Sequence, residues 1–241
     1  MDAIILAAGL GSRLKDKTED RPKALVEVNE KPLIAYALQG LKTFDASKVT
    51  VVTGYMSELF TEHLHSYAPE VETVFNARYR LGSIITLLTA LEQATDDVLI
   101  MNVDHIYPAK LFKRILQAPR KNITAMCDFD RTLVEDDMKV KCDEMGNLAA
   151  IHKQLSDFDG GYIGMTYCPK DKLALYTQAA HEALQCFGEM APVEWILGLL
   201  AENGNTISLC DTSGISWLEV DNQSDLEHAE ESLRTNKLFL L

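Results

Sequence analysis

Ala3-Ile-Ile-Leu6-Ala-Ala-Gly9-Leu-Gly11-Ser-Arg13-Leu14 opens as an apolar run and closes on two glycines and a cation. A short apolar run bounded by a glycine turn reads as a buried strand handing over to a loop. Without a Cβ, Gly9 and Gly11 let the backbone turn tightly and bring its N–H groups against an oxyanion. Arg21-Pro22-Lys23-Ala-Leu25 follows after a short gap. The segment suits a polyphosphate cradled by Leu6, Ala7, Ala8, Gly9, Gly11 and Ser12, with Arg13 and Lys23 supplying positive charge where negative charge grows during transfer. Two other glycine motifs do not fit. A dinucleotide fingerprint needs Gly or Ala where Leu14 stands, and a P-loop needs a Gly-Lys-Ser/Thr ending that is missing.

Outward from this loop, the first half alternates short apolar runs with amphipathic stretches, the pattern of βαβ units and a mostly parallel sheet. The pattern predicts strands at 3–8, 48–54, 71–75, 98–103 and 123–127. Helices are predicted over 32–44, with Pro32 at its start, and over 57–66, 83–94 and 109–117. From about Met138 the chain reads as a β-hairpin, 138–142 with 148–152, around a turn containing Gly146 and Asn147. A strand over 161–167, helices over 171–185 and 193–202, short strands at 206–210 and 217–220, and a helix over 223–233 complete the chain. The 241 residues read as one domain.

The formal net charge of −13 argues against a nucleic-acid partner, which calls for a basic face. No window has 18 consecutive apolar residues, so membrane insertion is not expected; the start lacks a basic leader, which makes the cytoplasm the default location. The five cysteines are scattered singly and suit reduced core thiols.

Taken whole, Leu-Ala-Ala-Gly-x-Gly-x-Arg-Leu followed by Pro-Lys-x-Leu resembles the signature of the nucleotidyltransferases that act on sugar phosphates and phosphoalcohols. That resemblance implies a Rossmann-like, GT-A-like α/β fold with a mixed, mostly parallel sheet flanked by helices and a small β-hairpin on the acceptor side. By the same resemblance, Asn76-Ala-Arg-Tyr-Arg-Leu-Gly82-Ser83 stands where the nucleobase binds. Asn76 would meet a base edge and Gly82 would permit close approach, while Ser83 reads equally as a helix cap or a ribose contact. Asp104, in Met101-Asn-Val103-Asp104-His105, resembles the first metal-binding carboxylate, and Asp221, in Trp217-Leu-Glu219-Val220-Asp221-Asn222, the second. Together they would hold one Mg²⁺.

The stretch from Lys139-Val-Lys141 to Lys153-Gln-Leu-Ser-Asp-Phe158-Asp159-Gly160-Gly161-Tyr162 is similar to the acceptor side of the CTP-dependent inositol-phosphate and phosphocholine enzymes. Lys153 would then meet the acceptor phosphate, and Asp159 with Gly160 and Gly161 its organic part; the alternative is an edge strand with solvated lysines. Glu194 is a further acceptor-side candidate, Trp195 reads as core, and 128–137 reads as a solvated acidic loop without a role. The resemblance implies that 1–135 mainly bind the nucleotide and 136–241 mainly the acceptor, with CTP and a phosphorylated small molecule as partners, leaving open a sugar-1-phosphate enzyme using UTP, GTP or dTTP, a non-catalytic nucleotide-sensing subunit, and a homo-oligomer.

Overall fold

The computed structural model describes residues 1–44 and 46–235. Its first half runs β1 Asp2–Leu6, β2 Glu27–Val28, β3 Lys31–Pro32, α1 Leu33–Phe44, β4 Lys48–Thr53, α2 Ser57–Tyr67, β5 Glu72–Phe75, α3 Ser83–Leu91 and β6 Val98–Asn102. The second half runs β7 His105–Ile106, α4 Ala109–Gln117, β8 Thr124–Asp128, β9 Lys139–Cys142, β10 Leu148–His152, β11 Gly160–Cys168, α5 Leu173–Phe187, α6 Trp195–Glu202, β12 Ser208–Asp211, β13 Leu218–Glu219 and α7 Gln223–Thr235. No helix among the described residues is long and apolar enough to cross a membrane.

Nine strands form one mixed sheet. Its main path is β10-β9-β11-β6-β1-β4-β5, and β8 joins β11 to β12. The β6-β1-β4-β5 portion is parallel, as the alternating pattern predicts. The antiparallel portion is organised by β11, whose nine residues are all buried. Its last four pair with β6, and its first two pair with β9. Between Tyr162 and Thr166 its register against β8 shifts, and Gly164 there has φ of 76°. A left-handed glycine lets a strand bulge and change partner, which joins the hairpin β9–β10 to the parallel half.

Side-chain alternation along β1 sends Ala3 and Ile5 to one face and Ile4 and Leu6 to the other. The first pair packs with α1, α2 and α4 through residues such as Ile34, Phe60, Leu64 and Phe112. The second packs with α3, α5 and α6 through Ile84, Leu87, Tyr176 and Ile196. A third cluster joins Leu14, Val28, Leu33, Ile106, Val220, Leu226 and Leu233, and so fastens the far end of the glycine loop to α7. Each such fully buried aliphatic side chain contributes about 1.5–3 kcal/mol.

Most element positions match the sequence pattern to within one or two residues, and two local features differ. Pro32 pairs with Glu27 instead of opening α1. Asn29 and Glu30, at φ of 49° and 63°, make a two-residue turn of the kind that suits a tight hairpin. Of the cysteines, Cys127, Cys168 and Cys210 are core thiols, whereas Cys186 is exposed and Cys142 half-buried.

Candidate active site

Leu6 and Asn102 are paired in register at the C-terminal ends of β1 and β6, so the glycine loop and the segment carrying Asp104 emerge side by side. Open α/β sheets bind ligands at this end. Gly11 has φ of 65°, and a Cβ there would lie 2.9 Å from Lys23 Cβ and from Thr18 Cγ2. A side chain at position 11 is therefore excluded by both dihedral and space. The Thr18 hydroxyl donates to the Gly11 and Lys15 carbonyls at 3.0 and 3.1 Å, closing the loop on itself. Leu6, Ala7, Gly9, Gly11, Ser12, Arg13, Lys23, Asp104 and Asp221 line a cleft of about 260 Å³. Ala8 is buried beside it, its carbonyl accepting from the Tyr55 amide.

Two short ladders bring the carboxylates together. Strands β7 and β13 pair antiparallel with His105 opposite Glu219, and the Val220 amide donates to the Asp104 carbonyl at 2.9 Å. Beyond β13, Asn222 and Asp225 cap α7 reciprocally. The Asn222 side chain accepts from the Asp225 amide at 3.1 Å, while Asp225 Oδ2 accepts from the amides of Asp221 and Asn222 at 3.0 and 3.1 Å. This capping box fixes the backbone that carries Asp221.

The Lys23 ammonium is enclosed between the two carboxylates, donating to Asp104 Oδ2 at 2.7 Å and to Asp221 Oδ1. Arg13 Nη1 donates to Asp221 Oδ2 at 2.9 Å and to Asp136 Oδ2 at 2.8 Å. Burial pulls the Lys23 pKa down, but Asp104 and Asp221 outweigh it and the net shift is upward. Burial likewise pushes the Asp104 carboxyl up, and Lys23 and His105 reverse this, holding it well below the carboxylate range. Asp221 beside Arg13 raises the guanidinium further. Asp104 and Asp221 thus present one oxygen each to a single point, now taken by an ammonium. Converging hard oxygens fit a divalent cation, provided that Lys23 moves aside.

Other residues singled out in the sequence are placed differently. Asn76 is buried, with its amide donating to Thr86 Oγ1 at 3.1 Å and its oxygen accepting from the Arg78 amide at 2.8 Å. Both ends of its side chain are spent on shaping the loop, which corrects the expectation of a base contact. Gly82 permits close approach of its own chain: a Cβ would lie 2.3 Å from the Ala191 carbonyl oxygen, and its amide donates to Glu189. Ser83 is the first residue of α3 rather than its cap, and its hydroxyl accepts from the Val193 amide at 2.8 Å.

On the acceptor side, Asp159 pins the hairpin, accepting from the Cys142 amide at 2.7 Å and from Lys141 Nζ at 3.2 Å. Gly160 and Gly161 pair with β9, and a Cβ on either would strike Phe129 or Leu133. They make room for the 128–137 segment, which corrects the expectation that their backbone is open to an acceptor. Glu194 stands partly buried just before α6. Burial pushes its carboxyl up, and the charges of His105, Asp104 and Lys153 also act on it, so it faces the same end of the sheet. Trp195 is only partly buried and stacks on His152 at 5.6 Å.

The largest correction concerns 128–137, which is built into the site. Asp128 is buried and accepts from Trp217 Nε1 at 3.0 Å and from the amides of Asp130 and Arg131. Lys139 Nζ, also buried, donates to the carbonyls of Val134, Glu135, Asp137 and Lys153. Held by these anchors, Asp136 accepts from Arg13 through one oxygen and from Lys153 Nζ at 2.6 Å through the other. Lys153 is therefore linked to Arg13 by way of a residue that no sequence signal distinguishes among five neighbouring acids. For His105 the sequence suggests no more than a contact behind Asp104, and for Trp217 no role, although both adjoin the carboxylate segments.

Comparison with known proteins finds nucleotidyltransferases. The chain is 37% identical over 112 residues to a UTP–glucose-1-phosphate uridylyltransferase of Haloferax volcanii, 46% of each chain, and so spans about half the length of that relative. It is 27% identical to the CTP:phosphoglutamine cytidylyltransferase of Campylobacter jejuni subsp. jejuni, over 94% of this chain and 98% of that one. The solved CTP:phosphocholine cytidylyltransferase of Streptococcus pneumoniae superposes with a TM-score of 0.76 at 25% identity, covering 96% of this chain and 98% of that one. The model of the MobA-like NTP transferase domain matches residues 3–186, and the chain belongs to that family.

Proposed function

We propose that the protein transfers CMP from CTP to a phosphorylated small alcohol and releases pyrophosphate. The observation that carries this reading is the convergence of Arg13 and Lys23 on the Asp104–Asp221 pair, in the cleft beside the glycine loop. Residues 1–135 act mainly on the nucleotide and 136–241 mainly on the acceptor. The preference for CTP over other nucleotides is supported by two cytidylyltransferases aligned over nearly the whole chain.

In this mechanism an anionic oxygen of the acceptor phosphate attacks the α-phosphorus of CTP in line with the bond to the bridging oxygen. That bond breaks, and its electron pair leaves with pyrophosphate. No group on the protein is covalently modified. With its pKa raised, Lys23 works as a cation and not as a proton acceptor. It is a compact charge on a flexible stem, able to leave the carboxylates for a phosphate oxygen. Arg13 offers a planar fork to the β- and γ-phosphates, and Lys153 offers its ammonium to the acceptor phosphate. Asp104 and Asp221 would hold Mg²⁺, which when bound neutralises charge on the nucleotide and on the leaving group. Positioning and charge neutralisation suffice because the attacking oxygen is already ionised.

The test is pyrophosphate release with Mg²⁺, each of the four NTPs, and a panel of phosphocholine, inositol-1-phosphate, glycerol phosphates and hexose-1-phosphates. Release confined to CTP and a phosphoalcohol supports the reading. The half-length identity to a uridylyltransferase favours a second one, uridylyl transfer to a hexose-1-phosphate. Release with UTP and a hexose phosphate replaces the first reading by the second.

A further inference from the structure

His105 sits under Asp104, 5% exposed, and takes no part in the contacts of Arg13 or Lys23. Its ring packs against two others, Tyr107 at 5.5 Å with planes 16° apart and Trp217 at 5.3 Å with planes 19° apart, and those two lie 6.4 Å from each other, so that the three rings form a closed triangle. Each neighbour is itself tied down. The Tyr107 hydroxyl donates to the Ile163 carbonyl, and Trp217 Nε1 donates to Asp128 Oδ2. At the ring's edge stands Gly164, where a Cβ would lie 3.0 Å from His105 Cε1. The backbone of His105 is paired with Glu219, whose Oε1 lies 3.9 Å from His105 Nε2.

A ring so enclosed has one orientation, and it places Nδ1 2.7 Å from Asp104 Oδ1. An ionised carboxylate only accepts, so Nδ1 carries the hydrogen. Torsion about the last bond of an aspartate is soft, and a carboxylate left alone can turn or chelate through both oxygens. With Oδ1 held from below, Asp104 offers Oδ2 alone to the cleft, and Oδ2 is the oxygen that meets Lys23.

We propose that His105 is a positioning residue that dictates which oxygen of Asp104 faces the cation site shared with Asp221. The inference rests on the reading of that pair as a divalent-cation site. Groups that hold a metal-binding side chain from behind typically account for 10–100-fold in metal affinity.

Two substitutions separate the hydrogen bond from the packing. His105→Phe keeps an aromatic ring against Tyr107 and Trp217 but has no N–H. His105→Asn loses the ring but keeps an amide donor close to the position of Nδ1. Mn²⁺ affinity is measured by electron paramagnetic resonance, without turnover, in the presence of a non-transferable methylene analogue of CTP; cooperative melting verifies folding of each variant. The expected result is a 10–100-fold loss of Mn²⁺ affinity in His105→Phe and substantially less in His105→Asn. The opposite order, with His105→Phe equal to wild type, overturns the inference and leaves a packing role. Absence of Mn²⁺ binding by the wild type overturns the cation-site reading itself, and the inference with it.

Discussion

Two buried lysines hold the two sides of the cleft, and they do so through different acceptors. Lys23 lies between the carboxylates of Asp104 and Asp221, whereas Lys139 is surrounded by the carbonyls of Val134, Glu135, Asp137 and Lys153. A cation between carboxylates can be replaced by another cation or drawn away by a phosphate, because the pair remains a site for positive charge. A cation among backbone carbonyls has no such substitute; it fixes the path of the chain. The first arrangement suits chemistry and the second suits construction.

The sharpest way to break this comparison is Lys23→Ala. Removing the ammonium leaves two half-buried carboxylates facing each other with only His105 and Arg13 as partners, which costs at most about 3–5 kcal/mol. It also removes a cation that acts on developing charge, so pyrophosphate release is expected to fall about 10²–10³-fold. Mg²⁺ should restore much of the lost thermal stability without restoring turnover, because the ion replaces the charge but not the mobile donor. A melting temperature that ignores Mg²⁺ would remove the case for an exchangeable cation.

Lys139→Ala is the contrasting variant. Up to four carbonyls lose their donor, and burying polar groups without partners costs about 1–3 kcal/mol each where water cannot enter. The melting temperature should fall and stay low whatever the Mg²⁺ concentration. Hydrogen exchange should rise across 128–137 first, since that segment loses its anchor. Recovery by Mg²⁺ would place Lys139 in the same class as Lys23.

The difference between the lysines also explains what the sequence made legible. The strand and loop around Gly9 and Gly11, the parallel half of the sheet, and the strand-end position of Asp104 follow from local pattern, because strand ends and glycine turns fix them within a few residues; Asp221 is singled out by the family resemblance alone. Lys139 and Lys153 are alike in sequence, each near a strand end in a polar hairpin. Only the fold decides that one is buried under carbonyls while the other reaches Asp136. Asn76, Gly82 and Ser83 misled for a related reason: their partners are residues 86 and 189–193, most of which the chain brings over from more than a hundred positions away. The aromatic cluster around His105 is equally non-local, since Tyr107, Trp217 and Gly164 meet only when β7 pairs with β13 and β11 crosses behind them.

A smaller effect is expected from Lys153→Ala. Its ammonium is partly exposed, so folding should change little. If it meets the acceptor phosphate, loss of a charge-assisted hydrogen bond raises the acceptor KM roughly tenfold to a hundredfold. The KM for CTP should stay near wild type. A rise confined to the CTP KM would move Lys153 to the nucleotide side.

The smallest effect concerns Asp136, whose carboxylate touches both sides through Arg13 and Lys153. Hydrogen bonding from Lys153, with the charges of Lys153 and Arg13, lowers its pKa below the ordinary carboxylate range despite some desolvation. A depressed carboxylate stabilises the folded state above its unfolded pKa of about 3.9, and that contribution is lost as the pH falls through the lower folded value. The bridge is therefore intact at neutral pH and opens only under strong acid. At neutral pH its carboxylate competes with phosphates for both cations. Asp136→Asn should lower the acceptor KM by at most about fivefold, the equivalent of the roughly 1 kcal/mol upper range for an exposed ion pair. The melting temperature of the variant should match wild type once the pH lies below the folded pKa of Asp136. A higher acceptor KM in Asp136→Asn would reverse the assignment, making the bridge an alignment device for Arg13 and Lys153 that substrates use rather than displace.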